Sequence, residues 1–156
     1  MMSGKSIRVL VVDDAKYIWE LISLILRNEG YEVIKAANGR EAWDKLNRTN
    51  IDMLITDLNM PEMNGIELAG KLRNVPDFKS IPILMVTSEN HESIRKKAGY
   101  AGVNEWILKP FIPKQLVDAV KKYVPAIKPE VQLMKQQLQL KTISSFFDEA
   151  IGSGAI

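Results

Sequence analysis

The feature that most constrains this chain is a repeated alternation. Five apolar runs of strand length, Ile7 to Val12, Tyr31 to Ile34, Ile51 to Thr56, Ile81 to Thr87 and Val103 to Leu108, are separated by segments of helical period. The first segment sets Ile18, Leu21, Ile22, Ile25 and Leu26 at i, i+3, i+4, i+7 and i+8, and Gly30 follows as a stop signal. Asn38 precedes a second helix over 40–46 and Asn64 opens a third over 66–73. A fourth runs from Glu92 to about Ala98 ahead of Gly99, and Pro113 starts a fifth that carries Leu116, Val117 and Val120. Strands apolar at successive positions are buried on both faces. The pattern therefore predicts an α/β fold, a doubly wound five-stranded parallel sheet of (βα)5 type with helices on each side.

Sheets of that kind bind ligands beyond the carboxyl ends of their strands, so the residues that end each run matter most. The first run, "VLVVDD", ends on Asp13-Asp14, the third on Asp57, the fourth on Thr87-Ser88 and the fifth on Lys109-Pro110. Each has an ordinary reading alone: a helix cap for Asp13 or Asp14, a turn former for Asp57 before Asn59 and Pro61, caps for Thr87-Ser88, a solvated charge for Lys109. Together they place three carboxylates, a hydroxyl and an ammonium on one rim. Adjacent carboxylates raise each other's cost of ionisation, so a cation is expected beside them. Carboxylates without a nearby His or Cys make a hard oxygen site suited to Mg²⁺. A carboxylate also attacks phosphorus when metal and ammonium neutralise the phosphoryl oxygens, and Lys109 and Thr87 are placed to assist.

Composition excludes more than it assigns. A chain of 156 residues suits one domain of common size with an extension. A charged fraction of 26% and a net charge of +2 are too balanced to point to nucleic acid or a membrane surface. The absence of cysteine leaves neither a disulfide framework nor a thiolate metal site. The opening MMSGKSIRVL has no signal-peptide apolar run, and no stretch approaches the roughly 20 apolar residues of a membrane span, so a cytoplasmic location is expected.

The segments "VVDDA", "LITDLNMPEMNGIEL", "MVTSE" and "LKPF" together resemble the receiver domain of bacterial response regulators, of the single-domain CheY-like type, over about residues 6 to 124. The resemblance implies a flavodoxin-like sheet of order 2-1-3-4-5. It also implies that Asp57 accepts a phosphoryl group from a separate sensor histidine kinase. By the same resemblance Asp14 and Asp57 ligate Mg²⁺, Asp13 holds it largely through water, and the Asn59 backbone carbonyl completes the protein ligands. Lys109 matches the lysine that contacts the phosphoryl group, ahead of a cis Lys109-Pro110 bond. Thr87 matches the switch hydroxyl and Ser88 the small residue whose N–H approaches the phosphate. The switch aromatic, usually Tyr or Phe, falls on Trp106, whose larger indole could equally be a core or interface residue. Asn59 and Glu89 lie where the family tunes access of hydrolytic water. His91 reads as a solvated residue early in the fourth helix, and Trp19 as a helix residue bordering the site.

Two other functions fit less well. A haloacid-dehalogenase-like phosphatase also uses an aspartyl nucleophile but wants a second Asp two residues on, where this chain has Asn59. A flavodoxin-like cofactor binder wants a Ser/Thr/Gly-rich loop after the first strand, where "DDAKYI" presents carboxylates.

Residues 1–124 are thus read as the receiver, 125–130 as a Pro-containing hinge and 131–156 as an amphipathic helical extension. Leu133, Leu140, Ile143, Phe147 and Ala150 form a heptad-like stripe that wants a partner: a second copy of the chain, the chain's own receiver, or an effector domain absent from this sequence. The closing "AIGSGAI" resembles the start of a CheC-type domain, whose catalytic Glu and Asn would fall on Phe147 and Ala150. The expected output is a protein target or a missing effector domain, in a pathway such as chemotaxis, without direct nucleic-acid or membrane contact.

Overall fold

A computed structural model describes residues 6–125 together with Gln137, Leu138, Lys141 and Ser145. The chain divides into two units, residues 1–126 and 127–156. The first contains β1 (Arg8–Val12), α1 (Lys16–Asn28), β2 (Glu32–Ala36), α2 (Gly39–Arg48), β3 (Met53–Thr56), α3 (Gly65–Arg73), β4 (Ile83–Thr87), α4 (Glu92–Tyr100), β5 (Glu105–Leu108) and α5 (Pro113–Tyr123), with one 3-10 turn at Pro76–Phe78. In the second, the four described residues are helical and Leu138 is exposed. Leu133, Leu140, Ile143, Phe147 and Ala150 lie outside the described residues, as do most of the expected hinge and extension.

The sheet is parallel throughout and ordered β2-β1-β3-β4-β5, the order that the resemblance implies. Alternation along the strands explains why it needs cover on both faces. Val9 and Val11 meet Ile22, Leu26, Leu116 and Val120 in one core, which joins α1 and α5 to the sheet. Leu10 and Val12 point the other way and pack with Leu46, Leu68 and Leu72 of α2 and α3. A smaller cluster of Leu58, Met85 and Ala98 seats α4. Burying such side chains is worth about 1.5–3 kcal/mol each, which makes these clusters the main source of stability.

Several boundaries differ from the periodicity. The second strand begins at Glu32 and runs to Ala36, because Tyr31 is buried in the turn and its hydroxyl donates to the Val124 carbonyl at 2.6 Å. The third, fourth and fifth strands start two residues later than their apolar runs. Leu21, expected on the buried stripe of α1, is 42% exposed, and Tyr17 and Leu24 also face outward. The face α1 buries is centred on Ile18, Ile22 and Leu26, a narrower stripe to which Leu21 is lateral.

α3 starts with a reciprocal capping box: the Asn64 side chain accepts from Glu67 N–H at 2.8 Å, and the Glu67 carboxylate accepts from Asn64 N–H at 3.1 Å. At the opposite edge of the sheet from the candidate site, the Arg73 guanidinium donates to the carbonyls of Ile81 (2.8 Å) and Gly102 (2.6 Å) and to Asn104 Oδ1 (3.1 Å). These bonds tie together the loops that enter β4 and β5.

Candidate functional site

Parallel pairing brings the functional residues to one rim. Val12 is in register with Thr56, so the next residues, Asp13 and Asp57, emerge side by side from β1 and β3. Backbone bonds hold both: Asp57 N–H donates to Val12 O at 3.0 Å, and Asp13 N–H to Ala36 O at 3.2 Å. Carboxylate oxygens of Asp13, Asp14 and Asp57 all lie within 4.8 Å of one another. Asp13 is 2% exposed and Asp57 9%, whereas Asp14 is open to solvent.

Neither Asp13 nor Asp14 is the N-cap of α1. That position is Ala15, with no side-chain cap, and Asp13 Oδ1 accepts from Ala15 N–H at 2.9 Å, which fixes the turn. Asp57 Oδ1 accepts from Leu58 N–H at 2.7 Å. That bond orients the carboxylate and leaves Oδ2 directed toward Lys109, at 3.4 Å.

Lys109 reaches this group from two strands away. Its N–H donates to Thr87 O at 2.9 Å, and its peptide bond to Pro110 is cis. The side chain extends back across the rim so that Nζ donates to Asp13 Oδ2 at 2.7 Å. Burial works against charge on Lys109, yet the hydrogen bond to Asp13 and the charge of Asp57 outweigh it and hold the ammonium above the ordinary lysine value. Burial also pushes the Asp13 carboxyl above the usual carboxylate range, although Lys109 and the Ala15 N–H pull it down.

Thr87 ends β4 fully buried, and its Oγ1 accepts from Glu89 N–H at 3.3 Å. Ser88 is exposed beside it, and Asn59 is exposed at the start of the β3–α3 loop. The Glu89 carboxylate accepts from the backbone N–H groups of Asn90 (3.0 Å) and His91 (3.1 Å) and lies 2.6 Å from His91 Nδ1. The hydrogen bond with His91 holds the Glu89 carboxyl below its ordinary value. His91 is exposed, as expected, but it occupies the N-cap position of α4 and is paired, which its spacing of two residues from Glu89 could have suggested.

Trp106 packs on Leu58, Met85 and Ala98, with the Arg95 guanidinium 5.7 Å from its ring centre. Its Nε1 is buried without a hydrogen-bond partner among the described residues. Trp19 packs against the core beneath α1 and takes Lys35 Nζ over its ring at 4.6 Å.

Gly65 borders the candidate site at a position that the periodicity passes over. It is the first residue of α3, and its N–H donates to Leu58 O at 2.9 Å. A methyl group there would drive into the carbonyl oxygen of Asp57. Only glycine lets the helix start directly against the candidate phosphoacceptor. The sequence signal was the "NG" before an apolar helical stripe.

The family model for the response regulator receiver domain matches residues 9–121. The chain is 46% identical over 111 residues to chemotaxis protein CheY1 of Helicobacter pylori, a match covering 70% of this chain and 90% of that one. It is 43% identical over 111 residues to the CheY homolog of Campylobacter jejuni, covering 70% and 85% respectively. Among solved structures, chemotaxis protein CheY4 of Vibrio cholerae superposes with a TM-score of 0.74 at 36% identity, covering 77% of this chain and all of that one. The match runs across all five strands, and on that ground the chain belongs to the response regulator receiver family of two-component signal transduction.

Proposed function

We propose that Asp57 is the phosphoacceptor of this receiver, taking a phosphoryl group from a phosphohistidine of a sensor histidine kinase, and that the modified rim changes how the domain binds a protein target. One observation carries the reading: a nearly buried carboxylate shares a rim with two others and stands 3.4 Å from an ammonium. Asp57 Oδ2 attacks phosphorus, an O–P bond forms, the N–P bond of the donor breaks, and its electron pair leaves with the imidazole nitrogen. Lys109 turns from Asp13 toward the incoming phosphoryl oxygens. The Thr87 hydroxyl follows the same charge, and the Ser88 N–H lies next to it in the chain.

The donor set fits Mg²⁺, because it consists of hard oxygen ligands clustered within reach of one ion. Asp13, Asp14, Asp57 and the Asn59 backbone carbonyl would hold it. When bound, it neutralises charge on the phosphoryl oxygens. The named relatives are chemotaxis proteins, which favours a chemotaxis output through a protein partner. Among the described residues no helix is long and apolar enough to cross a membrane.

Intact-mass measurement after incubation with acetyl phosphate and Mg²⁺ tests the assignment. Wild-type protein gains one phosphoryl group and Asp57→Asn gains none; equal labelling of both overturns it.

A further inference from the structure

The loop between β3 and α3 is a closed ring, joined by the hydrogen bond from Gly65 N–H to Leu58 O at 2.9 Å. Within it, Asn59, Pro61 and Glu62 are exposed, and Met60 and Met63 are the side chains that turn inward. Met60 is buried in the α2–α3 core. Met63 lies over Gly39, the first residue of α2: a methyl group on Gly39 would stand 2.9 Å from Met63 Cβ and Sδ and 3.1 Å from Cγ. Between these anchors the backbone is held against its preference, since Glu62 has φ +68°, a left-handed conformation that costs a residue with a Cβ. A bond within the loop, from Met63 N–H to Pro61 O at 2.7 Å, spans Glu62, and Met63 is itself seated against Gly39.

We infer that Gly39 is a positioning residue for the metal site: its missing side chain leaves a notch that seats Met63, and that seat sets how tightly the rim holds Mg²⁺. The inference rests on the reading of Asp13, Asp14, Asp57 and the Asn59 carbonyl as the metal ligands. Gly39 supplies no ligand and belongs to another element. Filling the notch lifts Met63, and a closed ring absorbs that shift by turning its exposed peptide groups. The Asn59 carbonyl is one of them.

Isothermal titration of the full chain with MgCl₂, paired with urea unfolding in the same buffer, tests this. Gly39→Ala weakens Mg²⁺ binding by roughly tenfold, the scale seen when groups supporting metal ligands are changed. Met63→Ala, which empties the notch, weakens it in the same direction. Gly99→Ala, on α4 with open space around its α-carbon, leaves it unchanged. Adding Glu62→Gly to Gly39→Ala recovers part of the loss, because glycine adopts the left-handed loop conformation without help. A merely structural role would move the urea midpoint and leave the Kd of folded protein alone. Wild-type affinity in both Gly39→Ala and Met63→Ala overturns the inference, and Met63→Ala decides alone if Gly39→Ala does not fold. Wild-type protein that takes up no Mg²⁺ overturns the reading of the site itself, and the inference with it.

Discussion

Lys109 Nζ stands 2.7 Å from Asp13 Oδ2 and 3.4 Å from Asp57 Oδ2, so the ammonium is seated first on the carboxylate that follows β1 and second on the one that follows β3. It occupies the charge that a metal ion would also claim. A Mg²⁺ ion held by the three carboxylates would therefore compete with Lys109 for Asp13.

Lys109→Ala separates metal binding from phosphoryl transfer. Removing a positive charge this close should tighten Mg²⁺ binding by roughly threefold or more, since even at the dielectric of water two unit charges about 4 Å apart interact by about 1 kcal/mol. Phosphorylation by acetyl phosphate should slow by about a hundredfold or more, because a stabilising donor to the transferring group is lost. Titration calorimetry and the rate of mass gain measure the two effects. Weaker Mg²⁺ binding would contradict the competition.

Gly65→Ala should damage both stability and chemistry, because the added methyl meets the Asp57 backbone itself. Overpacking of this kind costs about 1–3 kcal/mol. A displaced nucleophile should also slow phosphorylation by up to about a hundredfold. Gly70→Ala provides the contrast: nothing lies near its α-carbon within α3, so it should gain about 0.5–1 kcal/mol from helix propensity and phosphorylate normally. Urea midpoints and labelling rates of the two variants check this.

Arg73→Lys should lower stability by about 2–3 kcal/mol while leaving Mg²⁺ affinity unchanged. The planar guanidinium bonds the carbonyls of Ile81 and Gly102 and the Asn104 side chain at once, and a single ammonium cannot span both loops. Its place at the amino ends of β4 and β5 keeps it away from the rim. A loss under about 0.5 kcal/mol would show that water replaces the fork readily.

Tyr123→Phe should give a pH-dependent loss. The Tyr123 hydroxyl donates to Glu105 Oε2 at 2.7 Å, and this bond holds the Glu105 carboxyl below its ordinary value. A lowered folded-state value means that the contribution is present above the ordinary glutamate range. It disappears as pH falls through the depressed value. The same bond, with burial second, raises the Tyr123 hydroxyl, so its contribution holds below the ordinary tyrosine value and fades as pH rises through the raised one. At neutral pH the variant should be about 0.5–1 kcal/mol less stable, a modest figure because the pair is largely solvated. Urea unfolding across the acid range should show the difference from wild type shrinking.

Much of this molecule was legible in order of residues alone. The α/β class, the number of strands and the residues that end them all follow from local spacing, because burial on a strand or helix repeats at two or about 3.6 residues whatever the rest of the chain does. Asp13, Asp14, Asp57, Thr87 and Lys109 stood out for the same reason, as chemically capable residues at the carboxyl ends of apolar runs. Partnerships across the chain had no such local signature. Lys109 pairs with Asp13 across 96 positions and Met63 lies over Gly39 only because the strands lie in the order β2-β1-β3-β4-β5. Leu21 turned outward and the Trp106 indole N–H was buried without an acceptor among the described residues for a related reason. Which side of a helix or ring meets the core is set by the neighbours packed on it. Local period determined what each segment became, and the sheet order determined what each side chain met.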